Sequence, residues 1–92
     1  MVMRVKNLVD NCDTNDQGTV VYNLAASFIR KNMLLTLDFS GVSNITSSFV
    51  NSSFVQLADD FGYDKVKSTI VIKGVNRQIA NILRNRMTRM AA

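Results

Sequence analysis

The chain has 92 residues, of which 47% are hydrophobic and 20% charged, a composition typical of one folded globular domain rather than a disordered segment. Histidine and glutamate are absent and Cys12 is the single cysteine, which excludes a Ser-His-Asp triad, an internal disulfide and a zinc site with histidine ligands. The net charge of +4 is uneven, because residues 1–64 carry −3 and residues 65–92 carry +7. A basic C-terminal third can bind nucleic acid or an acidic protein surface. Alternatively, its charges only form a face exposed to solvent.

The location of the protein is indicated by what the sequence lacks. No apolar run approaches the ~20 residues that cross a bilayer, and Arg4 and Lys6 are not followed by the apolar core of a signal peptide. A lone cysteine fits a reducing compartment. We therefore expect a cytoplasmic protein without a membrane span. No proline, repeat or low-complexity linker marks a domain boundary, so we expect a single domain over residues 1–92.

The first half of the chain predicts a strand, a helix and a second strand. Residues 2–9, VMRVKNLV, are rich enough in β-branched residues for a strand, and the polar loop DNCDTNDQG that follows supplies helix-capping side chains. Residues 17–31 place their apolar side chains on one half of a helical wheel, which predicts an amphipathic helix. The near-continuous apolar run of residues 33–39, MLLTLDF, predicts a central strand buried on both faces.

The second half predicts a helix, a third strand and a final helix. Residues 46–62 form an amphipathic pattern, and Gly62 suits its C-terminal cap. Residues 65–74, KVKSTIVIKG, predict the third strand, and a last helix begins near Asn76 and either frays after about Asn85 or meets a partner there. The order βαβαβα predicts an α/β fold, a small single-domain sandwich of a largely parallel sheet and amphipathic helices.

Seven hydroxyl side chains lie between residues 40 and 53, where the central strand gives way to a helix. Ligands of open parallel sheets bind beyond the carboxyl ends of the strands, which is where this segment lies. Capping of the helix by Thr46 or a neighbouring serine explains one or two of the hydroxyls. A phosphate on Ser47 or Ser48 would also be stabilised by the N–H groups and the positive dipole end of the helix. Structural and regulatory uses of the hydroxyls both stay open.

The runs LTLDFSGVSNITSSFV, STIVIKG and GVNRQIANIL together resemble the STAS domain, which occurs in anti-sigma-factor antagonists and at the end of sulfate transporters. More narrowly, the chain is similar to a bacterial STAS-like family of unknown function, in which a strand ending in Asp-Phe and a run of hydroxyls before a phenylalanine recur. The resemblance covers about residues 33–85 and implies a STAS-like fold. It also implies a non-enzymatic regulatory module whose partner is a protein, of the type of a kinase-like ATP-binding regulator.

The antagonist branch carries an Asp-Ser-Ser-Gly-Leu signature after this strand, and a partner kinase phosphorylates its second serine. Placed on this chain, the two serines fall at Ser47 and Ser48, so the resemblance implies Ser48 as the phospho-acceptor candidate, with Ser47 beside it. Thr46 and Phe49 stand where the signature has aspartate and glycine, and the chain departs from the pattern there. The partner-binding residues that we expect around these serines are Asp38, Ser40, Ser43, Asn44 and Thr46.

The main alternative is a small basic protein that binds nucleic acid or a nucleoprotein, such as a phage or mobile-element inhibitor of a host complex. Its charge would come from the C-terminal third, through Lys73, Arg77, Arg84, Arg86 and Arg89. This third contains no aromatic residue for base stacking, and its arginines do not form one helical stripe. A regulatory module and a nucleic-acid binder therefore remain the two candidate functions.

Other candidate sites are weaker. Residues 13–20, DTNDQGTV, imitate the start of a calcium-binding loop, but Leu24 occupies the position where the closing glutamate is needed, so we expect no metal and no cofactor. Asp59 and Asp60 diverge by ~100° on a helix and do not form a catalytic pair. We expect no enzymatic activity, and an uncovered sheet edge or face would allow a homo-oligomer.

Overall fold

The computed structural model describes the backbone of residues 1–91 and the side chains of residues 1–86. Three short strands alternate with helices, and a 3-10 turn, Val5–Asn7, follows the first strand. The elements are β1 (Val2–Arg4), α1 (Asn15–Arg30), β2 (Leu35–Asp38), α2 (Ser47–Val50), a π-helical segment (Asn51–Val55), α3 (Gln56–Phe61), α4 (Tyr63–Thr69), β3 (Ile70–Lys73) and α5 (Arg77–Ala91).

The three strands form one parallel sheet in the order β1-β2-β3. Thr36 of β2 lies in register with Val2 on one side and with Val71 on the other. The α/β class, the parallel sheet and the central position of β2 are therefore confirmed.

Helices cover one face of the sheet, and the other face is open. Leu35 and Leu37 are buried beneath the helices, whereas Thr36 between them is half-buried. On the open face, Val2 is 56% exposed and Val71 is 47% exposed on either side of Thr36. The prediction that β2 is buried on both faces was wrong, because the apolar run that suggested it begins before the strand, with two residues that are exposed.

Helix α1 begins with a capping box. The Thr14 hydroxyl accepts a bond from the Gln17 N–H at 3.2 Å, and the Gln17 side chain accepts one from the Thr14 N–H at 3.1 Å. Its buried side comprises Gly18, Val21, Ala25, Ala26 and Ile29. The amphipathic pattern of residues 17–31 thus predicted this helix within two residues, and the polar segment that imitates a calcium loop forms its cap and first turn.

Residues 47–61 form one continuous helix, here named the long helix, made of α2, the π-helical segment and α3. Thr46 caps its start and Gly62, with a φ of +88°, ends it, as the sequence predicts. The π-helical segment was not predicted. Inside it, the Ser52 hydroxyl donates to the Ser48 carbonyl at 2.8 Å and the Ser53 hydroxyl to the Phe49 carbonyl at 2.7 Å. Such bonds to the preceding turn compete with regular helix geometry, and they accompany the wider turn here.

Three boundaries differ from those that the sequence predicts. Residues 65–69 belong to helix α4 rather than to β3, because Val66 and Thr69 are buried three positions apart while the residues between them are exposed. Strand β1 stops at Arg4, since the 3-10 turn directs Val5 into the core. Helix α5 continues past Asn85 to Ala91 rather than fraying there, and the alternative that its end meets a partner stays a prediction.

A single core lies between the sheet and the helices. Phe39, Phe49 and Phe54 are each at most 1% exposed, and the ring centroids of Phe39 and Phe54 are 6.3 Å apart. These rings link the end of β2 to the long helix. The core therefore fixes the position of the loop that carries the hydroxyl-rich segment.

Candidate functional site

The loops that follow the three strands meet at the carboxyl edge of the sheet. The Thr46 N–H donates to the Cys12 carbonyl at 3.1 Å, which joins the loop after β2 to the loop after β1. On the other side, the Asn76 side-chain amide donates to the Ser43 carbonyl at 2.9 Å. The edge where parallel sheets bind ligands is thus closed by bonds between its own loops.

Asp38 and Ser40 form a compact polar pair at the end of β2. The Asp38 carboxylate accepts the Ser40 hydroxyl at 2.6 Å and the Ser40 N–H at 2.9 Å. These bonds, first the hydroxyl and then the backbone one, lower the pKa of Asp38, and the nearby Lys73 and Arg4 act in the same direction. Asp38 is therefore a carboxylate at neutral pH.

Gly74 packs directly against this pair. Its φ is +72°, and a Cβ atom placed on it would lie 2.3 Å from Asp38 Oδ1 and 2.7 Å from Ser40 Oγ. A side chain at position 74 would displace both groups. The loop after β3 therefore contributes to the site by leaving space for the polar pair.

Thr46 joins the long helix to the loop after β1. Its hydroxyl accepts the Phe49 N–H at 3.2 Å and donates to the Asp13 carbonyl at 2.7 Å. One side chain thus caps the helix and fixes its start to a loop that is 33 positions earlier in the chain. This double use gives a structural reason for a threonine here.

Ser43 and Asn44 are held against the start of α5. The Asn76 side chain that donates to the Ser43 carbonyl also caps α5, because its oxygen accepts the Ile79 N–H at 2.8 Å. The Gln78 side-chain amide donates to the Asn44 side-chain oxygen at 2.9 Å. The predicted partner-binding residues are therefore brought to one edge, and much of their polar surface holds the loops together.

Ser47 and Ser48 occupy the first turn of the long helix, and both are exposed. Ser52 and Ser53 have a different role, since Ser53 is buried and Ser52 faces α1 at Gly18. The seven hydroxyls therefore divide into four structural ones, at Ser40, Thr46, Ser52 and Ser53, and three on the surface, at Ser43, Ser47 and Ser48.

A polar cleft of about 160 Å³ lies beside this loop. Its lining includes the predicted residues Ser43 and Asn44, together with residues that the sequence reading missed: Lys6, Asp10, Asn11, Cys12, Asp13, Gly41 and Val42. The loop after β1 reaches the cleft because Thr46 binds it. The predicted parallel sheet contained the signal for this, since the carboxyl ends of all parallel strands lie at one edge.

Cys12 is buried at the base of this loop. Burial first and the neighbouring Asp13 second raise the pKa of its thiol to about 11, against the opposing effect of Lys6. The thiol is therefore protonated at neutral pH and is a poor nucleophile. It contributes to packing rather than to chemistry.

The basic residues of the C-terminal third do not form one surface. Lys73 and Arg77 are exposed near the carboxyl edge, and Arg84 is exposed two helical turns along α5 on the same side as Arg77. Arg86 is half-buried on another side of the helix, and the side chain of Arg89 lies outside the described residues.

A family model for the STAS-like domain of unknown function (DUF4325) matches residues 17–80, from the first turn of α1 to the first turn of α5. The chain belongs to this family. The match spans more than half of the chain and contains the loop after β2, the start of the long helix and Asn76. A search of the curated proteins and a search of the solved structures found no match.

Membership in the STAS-like family confirms the resemblance seen in the sequence and indicates a regulatory or interaction module at most. Within residues 1–91, no helix is both long enough and apolar enough to cross a membrane. Residues 1–16 and 81–92 lie outside the matched range. The features of this chain beyond the matched segment therefore include β1, the loop after β1, Arg84 and Arg86.

Proposed function

We propose that this STAS-like domain is a non-enzymatic regulatory module that docks a protein partner through the surface of residues 40–48, and that phosphorylation of Ser48 switches the docking. The observation that carries the proposal is the exposure of Ser48 in the first turn of a helix whose start is fixed by Thr46. A kinase must be able to reach the serine that it phosphorylates. Because Thr46 fixes the N-terminus of the long helix, Ser48 is presented to the kinase in one geometry.

Phosphorylation of Ser48 would change the surface without unfolding it. A phosphate adds about −1.5 to −2 charges, and near a helix N-terminus its charge is stabilised by the dipole and the first N–H groups. Ser48 is exposed, so the group would require no space in the core. The effect would therefore fall on the partner, which meets a new negative charge on the surface of residues 40–48.

The partner class that we propose is a kinase-like ATP-binding regulator, because such a protein would both bind the surface and modify the serine. The absence of histidine and glutamate from the sequence, and the protonated, buried Cys12, support a module that does no chemistry of its own. Asp38 is held by Ser40, which makes it a structural carboxylate rather than a general base.

The proposal is tested by co-expression with the native kinase and mass spectrometry of the intact chain. We expect one added phosphate on the wild-type chain and on Ser47→Ala, and none on Ser48→Ala. Binding of the partner to Ser48→Asp should differ at least about tenfold from binding to the wild type, which corresponds to about 1.4 kcal/mol. Absence of phosphate from both Ser47 and Ser48 would overturn the switch.

A second candidate function rests on the exposed pair Arg77 and Arg84 on one side of α5. If the chain binds nucleic acid through α5, the double variant Arg77→Ala with Arg84→Ala should lose affinity for a single-stranded oligonucleotide, and wild-type binding should fall steeply with salt. Ser48→Asp should then have no effect. Fluorescence anisotropy at two salt concentrations separates this candidate from the regulatory module.

A further inference from the structure

An apolar cavity lies between α4, β3 and the middle of the long helix. It has a volume of about 170 Å³, and its lining is Phe54, Tyr63, Val66, Lys67, Ile70 and Ile72. None of these residues belongs to the surface of residues 40–48 or to the polar cleft. The apolar cavity is therefore a recess separate from the candidate site at the carboxyl edge.

The walls of the apolar cavity are set by the backbone. Tyr63, Val66 and Lys67 share one side of α4, because residues three and four positions apart lie together on a helix. The Ile70 N–H donates to the Val66 carbonyl and fixes the turn from α4 into β3. Phe54 forms the inner wall, since it is 1% exposed and belongs to the core. The recess thus follows from the positions of three elements.

The size of the apolar cavity suits a small molecule. Protein interiors contain few voids larger than a water molecule, so a recess of this volume is more than incomplete packing. Pockets for drug-sized ligands have about 300–1,000 Å³, which is larger than this one. A cavity of about 150 Å³ accommodates benzene, so the apolar group that fits here has about the size of one such ring.

The polar groups at the apolar cavity favour a negative charge. Four of the six lining residues offer hydrocarbon alone, and the other two supply the Tyr63 hydroxyl and the Lys67 ammonium, which can both donate hydrogen bonds. Lys67 is exposed, so its ammonium lies on the solvent side of the recess. None of the described residues that line it is acidic, and the nearest acid in the sequence, Asp64, is exposed outside the lining.

We propose that the apolar cavity binds a small carboxylate whose apolar body is about the size of a benzene ring. The body lies against Phe54, Val66 and Ile70, and the carboxylate stays at the mouth, where the Lys67 ammonium donates a charge-assisted bond to it. The Tyr63 hydroxyl supplies a second donor. Small-molecule sites commonly have this composition, with apolar walls and a few polar groups that orient the ligand.

The ligand chemistry makes the site independent of the proposed docking surface. A cationic molecule of the same shape would bring a like charge to Lys67, and a neutral alcohol would fill the same space without the ion pair. We use hexanoate, 1-hexanol and hexylammonium as the three probes. For hexanoate, with about eight non-hydrogen atoms, we expect a dissociation constant of about 0.1–1 mM.

Titration of the full ¹⁵N-labelled chain with sodium hexanoate at constant ionic strength tests the site, with ¹H–¹⁵N correlation spectra as the readout. Saturable shifts should be largest for the amides of Phe54 and residues 63–72. Hexylammonium should bind at least about tenfold more weakly than hexanoate, since its charge is reversed. Absence of saturable shifts up to about 10 mM hexanoate, or equal binding of hexylammonium, would overturn the proposal.

Lys67→Gln separates the charge from the apolar recess. It should weaken hexanoate binding about threefold to tenfold and leave 1-hexanol binding unchanged. Lys65→Gln is the matched control, because Lys65 is an exposed lysine of the same helix that bonds the Asn32 side chain and does not line the recess. It removes the same charge and should leave hexanoate binding unchanged. Equal effects of the two variants would show that the carboxylate is not held by Lys67.

Ile72→Trp tests the recess itself. Ile72 is half-buried, and the larger indole would occupy the space of the ligand, so this variant should lose binding of both hexanoate and 1-hexanol. Circular dichroism must show that it is folded. Undiminished binding to a folded Ile72→Trp protein would place the ligand elsewhere and overturn the proposal. If the variant does not fold, the comparison of Lys67→Gln with Lys65→Gln decides.

Discussion

Gly18 decides how closely α1 approaches the long helix. A Cβ atom at this position would lie 2.1 Å from Ser52 Oγ and 2.6 Å from the Phe49 carbonyl oxygen. The serine side chain can turn away, but the carbonyl belongs to the helix backbone and cannot. Small residues on both helices thus permit a close crossing over the core.

Gly18→Ala should destabilise the fold by about 1–2 kcal/mol. Overpacking a close contact costs about 1–3 kcal/mol, and the higher helix propensity of alanine recovers up to about 1 kcal/mol. The free energy of unfolding from urea denaturation measures the difference. Asn23→Ala, at an exposed position of the same helix, isolates the propensity gain and should be neutral or slightly stabilising. A Gly18→Ala protein as stable as wild type would contradict the close crossing.

Asp38 makes a contribution to stability that depends on pH. Its pKa is lowered from the ordinary value of 3.8, so the folded state favours the carboxylate and stabilisation is complete above that value. It is lost as the pH falls below 3.8 through the folded-state pKa. The pKa of Asp60 is also lowered, because the Tyr22 hydroxyl and the Gln56 side-chain amide donate hydrogen bonds to its carboxylate. Acid unfolding of the wild type alone therefore does not isolate the contribution of Asp38.

Asp38→Asn should therefore be less stable than the wild type at pH 6, and the difference should shrink as the pH falls toward 3. Denaturation midpoints at several pH values measure this difference. Ser40→Ala removes the hydroxyl bond that contributes most to the shift, and it should weaken the pH dependence while leaving the backbone bond intact. A constant difference between wild type and Asp38→Asn across this range would show that the charge at position 38 has no effect on folding.

The long helix buries residues that recur every four positions. One row is Phe49, Ser53 and Leu57, and the neighbouring row is Val50, Phe54 and Ala58. A regular α-helix has 3.6 residues per turn, so a four-residue repeat drifts by ~40° at each step. The wider π-helical turn in the middle of the helix corrects this drift and keeps both rows against the core.

Thr46→Ala should lower the free energy of unfolding by about 1–2 kcal/mol, because Thr46 fixes the start of the long helix. The substitution removes the N-terminal cap of the long helix and the bond to the Asp13 carbonyl together. Thr46→Ser retains both bonds and should be close to the wild type in urea denaturation. Ser47→Ala, one position later and exposed, should change stability by less than about 0.5 kcal/mol.

The sequence predicts the elements that rest on long amphipathic patterns. Helix α1 and the long helix follow from their apolar stripes, with ends at Thr14 and Gly62 set by capping chemistry. Helix α4 is missed because KVKST is short and rich in residues that also favour strands, so its periodicity is ambiguous. The π-helical turn is missed although its signal, the four-residue spacing, is present in the sequence.

The whole molecule depends on a core that covers one sheet face. Phe54→Ala should therefore destabilise the chain by about 3–5 kcal/mol, which is a large part of the 5–15 kcal/mol typical of a domain. Phe61→Ala is the control, because Phe61 is half-buried and lies 5.5 Å beneath the Arg30 guanidinium. It should cost less than half as much in the same denaturation experiment.

The sequence predicts part of the candidate site at the carboxyl edge of the sheet. The hydroxyls after β2 and their place at the carboxyl edge follow from the strand order, and the exposure of Ser47 and Ser48 agrees with the phospho-acceptor prediction, which remains to be tested. The lining of the polar cleft by Asp10 and Asn11 does not follow from any local pattern. It depends on contacts between loops that are far apart in sequence, which no single segment encodes.

The bonds that close the carboxyl edge join residues 33 or 34 positions apart, as between Thr46 and Asp13, Asn76 and Ser43, and Gln78 and Asn44. The strand pairs Val2–Thr36 and Leu35–Ile70 are separated by similar distances in sequence, so the edge closes only in a chain whose sheet is assembled. A nascent or damaged chain would carry the same serines on a helix whose beginning is still loose. A partner that reads residues 40–48 in their finished arrangement would therefore respond to mature molecules and ignore incomplete ones, and recognition would double as quality control.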